Sequence, residues 1–104
     1  MQTRITARRV EVSDGLRAHI ENSVSRLGRY YDGIHDARVT LDGHETPGPT
    51  KKAEITVSVY RRTLKAQDTA ATHREAVDGC VRQLRRQVLR FKDQVRSTKK
   101  DVHR

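Results

Sequence analysis

From Val81 to Lys92 the chain carries five arginines and lysines (Arg82, Arg85, Arg86, Arg90 and Lys92) and no carboxylate. Cationic side chains strung along one segment suit phosphate recognition, because each can neutralise a backbone phosphate and release its condensed counterions. Arg26 and Arg29 add two more upstream. The plainer reading of such a run is solvated surface, and for Arg26 and Arg29 it is compensation of a helix dipole. A face selected for solubility, however, mixes signs, and Val81 to Lys92 does not.

The remaining side-chain chemistry is sparse. Five histidines (His19, His35, His44, His73 and His103) are scattered without ligand spacing, and His73 with Cys80 supplies two ligands, too few for a metal site. Cys80 is the sole cysteine; it has no disulfide partner and no base placed beside it, so it reads as a small core residue. There is no phosphate-binding glycine loop and no nucleophile elbow. We therefore expect no enzyme activity, no metal, no cofactor and no small-molecule substrate.

The elements that must carry the basic segment follow from composition and pattern. The chain has 104 residues, a formal charge of +9 and 34% each of hydrophobic and charged residues. One domain with a modest core and an acidic partner fits these values. No apolar run exceeds two residues, which excludes a membrane-spanning helix, and the N-terminus lacks the apolar stretch of a secretory signal. A cytoplasmic location is the expectation.

Met1 to Ala7 alternates as a short strand. Val10 and Val12 lead to Ser13, a helix N-cap, and Leu16, Ile20, Val24 and Leu27 form one stripe of a helix expected to end at Gly28. Three alternating strands follow. Ile34 to Asp42 places Ala37, Val39 and Leu41 inward, Lys51 to Tyr60 does so with Ala53, Ile55, Val57 and Val59, and a strand after Arg61-Arg62 carries Leu64 and Ala66. Gly43 to Thr50 has the composition of a hairpin loop. From about Thr72 to Arg96 a long helix aligns Val77, Cys80, Val81, Leu84, Val88, Phe91 and Val95 within about 100° of arc. The pattern predicts an α+β domain over residues 1–96, ordered β-α-β-β-β-α. Its four-stranded mixed sheet has a parallel first pair and both helices on one face. Residues 97–104 read as a basic flexible tail.

Around the last helix, with Val77 at zero, Arg82, Arg86 and Arg90 fall at about 140°, 180° and 220°, opposite the apolar stripe, and Arg85 and Lys92 at about 60° to 80°. The open sheet face is mixed in sign, and aromatics make up 4% of the chain, which argues against an RRM-type stacking platform. Tyr30 and Tyr31, at a helix-to-strand corner, are expected to pack. Helix faces reading the phosphates of folded RNA are the better mode. A double-stranded-RNA-binding domain shares the α-β-β-β-α part of this order but lacks the first strand.

That strand, together with particular residues, resembles the short ribosome hibernation-promoting factors and ribosome-associated translation inhibitors, the sigma-54 modulation protein family. The similarity runs through Met1-Gln2 with Ile5-Thr6, Val10-Glu11-Val12-Ser13 with Leu16-Arg17, Leu27 with Tyr30-Tyr31-Asp32, and Ala76-Val77-Asp78. Its strongest part is Gln83-Leu84-Arg85-Arg86-Gln87-Val88-Leu89-Arg90-Phe91-Lys92, matching the family's second-helix pattern at every position but the first. The resemblance implies binding to the small ribosomal subunit, with 16S rRNA and neighbouring ribosomal proteins as partners, near the decoding centre, and translation inhibition in idle cells. Arg26, Arg86, Arg90 and Lys92 occupy family basic positions, and Arg29, Arg82 and Arg85 join them by charge. Ser23 and Gln83 stand where members often carry lysine, and Thr72-His73-Arg74 replaces a common Met-Tyr pair. Nothing here corresponds to the C-terminal dimerisation domain of long members.

Two other classes compete with this reading. A regulatory protein-interaction module would bind its partner after nuclease treatment. A membrane-surface protein would float with liposomes, but the apolar stripe it would need is committed to the sheet.

Overall fold

A computed structural model describes residues 2–43 and 50–102, with residues 96–102 given by backbone alone. The elements are β1 (Gln2–Arg8), α1 (Asp14–Ser25), α2 (Leu27–Tyr30), β2 (Asp36–Asp42), β3 (Lys51–Val59), β4 (Arg62–Ala70) and α3 (His73–Val102). Met1 and most of the expected hairpin loop, residues 44–49, lie outside the described residues.

Strands are ordered β1-β2-β3-β4, with β1 and β2 parallel and the other pairs antiparallel. The parallel pair requires a crossover, which α1 and α2 provide. Register aligns the inward alternation of each strand. Ile5, Val39, Ile55 and Ala66 form one row across the sheet, and Thr3, Ala37, Val57 and Leu64 the next. α3 lies over β3 and β4, and α1 lies against β1 and α3. The enclosed core includes Ile20, Val24, Leu27, Cys80, Leu84 and Val88, all fully buried.

Local chemistry sets the helix starts. Ser13 Oγ accepts from the Leu16 N–H at 3.1 Å and Thr72 Oγ1 from the Glu75 N–H at 3.1 Å, each satisfying an orphan donor of the first turn. The end of the first helix departs from expectation. Rather than stopping at Gly28, the chain interrupts α1 at Arg26, still in right-handed geometry, and turns helical again through Tyr30 before Tyr31 becomes extended. A glycine stop is unnecessary here because Lys92 Nζ, 3.1 Å away, donates to the terminal Tyr30 carbonyl. Tyr31 then meets Phe91 edge-on at 5.6 Å, so the corner tyrosines pack as expected. α3 continues by backbone to Val102, beyond the Arg96 boundary.

Tyr60 and Arg61 close the β3–β4 hairpin, Arg61 adopting a positive φ of 57°. In a two-residue hairpin closed by the Val59–Arg62 pair, even-numbered residues of β4 bond to β3, and the carbonyls of Lys65 and Gln67 face the open edge. α3 supplies their partners. Gln87 Nε2 donates to the Lys65 carbonyl at 2.9 Å, and Gln83 Nε2 to that of Gln67 at 3.0 Å.

Candidate nucleic-acid interface

The two faces of the sheet differ in how their charges are satisfied. On the open face Glu54 binds Lys65 at 3.1 Å and accepts from Gln67 at 3.1 Å, while Asp42 and Lys52 are paired in register beside Arg8. Arg4 and Arg38, opposite one another in register, have no ion-paired carboxylate among the described residues, so the open face is mixed in sign and only partly neutralised. The helical layer carries Arg26, Arg29, Arg82, Arg85, Arg86 and Arg90 exposed and Lys92 half-buried. Among the described residues none of these seven is ion-paired to a carboxylate. Cations without ion-paired carboxylates, gathered on the helical layer, give a positive field that draws polyanions.

Packing between helices places most of them. Arg26, at the junction of α1 and α2, lines a shallow groove with His19, Ser23, Asp78, Val81 and Arg82. Arg82 also borders a second hollow with Arg85, Arg86 and Leu89, so the two depressions share a wall. Arg29 lies beside Tyr30, Tyr31, Asp32 and Lys92 in a third. Arg85 holds its guanidinium 4.8 Å from the centroid of the Tyr30 ring, a cation–π contact that restrains it. Arg90 borders none of these hollows and projects from the outer face of α3, where its neighbour Phe91 is turned inward.

Two features of the site were not readable as contacts in the sequence. His19 Nε2 lies 2.7 Å from Asp78 Oδ1, tying α1 to α3 over a sequence separation that no periodicity spans. Ser23, buried in the same groove, has its Oγ 3.5 Å from that same His19 nitrogen. A nucleophilic relay needs the serine and the carboxylate on opposite imidazole nitrogens. Here both converge on Nε2, so the trio is a structural clasp. Its burial also accounts for a small residue at 23: a lysine there would have to force its stem between the helices. Gln83, the other departure from the family pattern, serves the β4 edge as described above.

Cys80 is fully buried, with Sγ 3.4 Å from the Ala53 carbonyl oxygen. Burial, and next the nearby Asp68 carboxylate, push its thiol up to about 11. The thiol stays protonated and inert at neutral pH. No helix among the described residues is long and apolar enough to cross a membrane.

Known proteins bear on this geometry. The family model described as Sigma 54 modulation protein / S30EA ribosomal protein matches residues 3–96. The ribosome hibernation promotion factor of Deinococcus radiodurans is 33% identical over 90 residues, 85% of this chain and 47% of that protein. The ribosome hibernation promoting factor of Escherichia coli K12 is 27% identical over 96 residues, 92% of this chain and 98% of that protein. The chain thus spans about half the length of the longer relatives and nearly all of the shorter one. A crystal structure of the N-terminal domain of Thermus thermophilus protein Y superposes with a TM-score of 0.74 at 31% identity, covering 85% of this chain and 94% of that one. A ribosomal subunit interface protein from Coxiella burnetii has the same fold, with a TM-score of 0.81 at 22% identity over 89% of this chain and 99% of that one.

Proposed function

The chain belongs to the Sigma 54 modulation protein / S30EA ribosomal protein family, and from that membership we propose that it is a ribosome hibernation factor. Residues 1–96 act as a unit that binds the small ribosomal subunit near the decoding centre and blocks translation in idle cells, with residues 97–104 as a basic extension. The helical layer is the contacting surface, with Arg26, Arg29, Arg82, Arg85, Arg86, Arg90 and Lys92 facing phosphates of 16S rRNA. No chemistry is performed on the ribosome; occupancy of that site is the mechanism.

The observation that carries this reading is the density of cations on the helices: seven without an ion-paired carboxylate among the described residues, whereas the open sheet face intersperses acids with its bases. On the sheet face Asp36, Asp42 and Glu54 lower the field of the neighbouring bases, whereas the stretch of α3 from Val81 to Lys92 holds no carboxylate and meets phosphate with little counter-charge to displace.

Co-sedimentation with purified small subunits tests it. Binding should weaken steeply with salt, log affinity falling against log salt by about 0.9 per phosphate neutralised. Recovery in the ribosome-free fraction at low salt contradicts the proposal. Binding to a protein partner that persists after nuclease treatment would favour a regulatory interaction module instead.

A further inference from the structure

Among the described residues the large hydrophobic side chains left exposed are Tyr60 and Leu89. Tyr60 belongs to the hairpin turn, where the Arg61 guanidinium stacks 5.2 Å from its ring centroid. Leu89 has no such explanation. It lies on the outer side of α3, 38% exposed, while its neighbour Val88 fills the core. It forms part of a hollow of about 340 Å3 whose other lining residues are Arg82, Arg85 and Arg86. All four residues belong to one exposed face of α3, so the hollow is an open depression in the helix surface rather than an enclosed cavity.

We propose that this hollow takes one unpaired nucleotide of RNA, its base against Leu89 and its flanking phosphates on Arg82, Arg85 and Arg86. The inference rests on the RNA-binding reading above and goes beyond it, from phosphate recognition to capture of a splayed base. Charge complementarity selects the ligand: three guanidiniums and no carboxylate line the hollow, so its occupant is anionic. Leu89 selects further. Phosphates of an A-form duplex gain nothing from an aliphatic floor, whereas an unstacked base presents an apolar face that seeks one and an edge that arginine planes can flank. Arg85 is already held against Tyr30, so one wall of the hollow is restrained before binding and loses less entropy on contact.

Methyl-labelled NMR of the full chain tests the proposal, with adenosine monophosphate, ribose 5-phosphate and an acidic peptide as separate probes. The expected result is an upfield ring-current shift of the Leu89 methyls that saturates with adenosine monophosphate and is absent with ribose 5-phosphate. If both phosphates move only arginine side-chain signals, the hollow is an electrostatic surface and the proposal fails. If the peptide moves the Leu89 methyls and the nucleotide does not, the occupant is a protein and the proposal likewise fails. In co-sedimentation, Leu89→Ala should lower affinity for small subunits on the order of tenfold through lost apolar burial, with the salt slope unchanged, because no phosphate contact is removed. Unaltered affinity would overturn a base contact within the ribosome complex. Failure of the unsubstituted chain to co-sediment would instead count against the ribosome reading, and the nucleotide titration would still decide the hollow.

Discussion

Lys92 Nζ donates to the backbone carbonyl oxygen of Tyr30 across 3.1 Å, fastening α3 to the last residue of α2. A residue expected to face phosphate therefore also holds the helical layer together. Replacing it with the similarly shaped Lys92→Met should cost about 1 kcal/mol, since a charge-assisted hydrogen bond to a helix-terminal carbonyl is lost. Urea denaturation reads this as a lower midpoint at unchanged slope. An exposed phosphate ligand such as Arg86 should show no comparable stability loss on Arg86→Ala.

The β4 edge supplies a second expectation. Gln83 and Gln87 cover the carbonyls of Gln67 and Lys65, and unpaired strand edges invite pairing with other chains. The double variant Gln83→Leu, Gln87→Leu should lose about 1 to 2 kcal/mol. It should also associate at concentrations where the unsubstituted chain stays monodisperse by light scattering.

Strand alternation made the sheet legible before any coordinates. Ala53, Ile55, Val57 and Val59 could face only one way, and the order of elements forced a crossover between β1 and β2. Ser13 was readable because an N-cap is a local device. The helix end was not, because what replaces a stop at Gly28 is Lys92, far along the chain. The same holds for the His19–Asp78 clasp and the two glutamines, whose partners lie on other elements. Charge was legible as amount and as helical face. The pairing of Lys65 with Glu54 on the sheet face depended on cross-strand register.

Cys80 gives a pH prediction. Its thiol ionises near 9.0 when unfolded and at about 11 in the fold, chiefly through burial and then through the Asp68 carboxylate. The folded state therefore holds its proton more tightly. The resulting contribution is intact below pH 9 and is lost as pH rises toward 11. Over that interval the unsubstituted chain should lose more stability than Cys80→Ala, which lacks the ionising group. At pH 8 a thiol reagent should modify the native protein only as fast as it opens.

Paired charge reversals in one sucrose-gradient experiment with purified small subunits test which face of the chain meets its partner. Arg86→Glu with Arg90→Glu reverses the outer face of α3, while Arg4→Glu with Arg38→Glu reverses a register pair on the open sheet face. The helix variant should leave the subunit fraction at a salt concentration where the sheet variant remains bound. Equal loss from both variants, or loss from the sheet variant alone, would contradict contact through the helical layer.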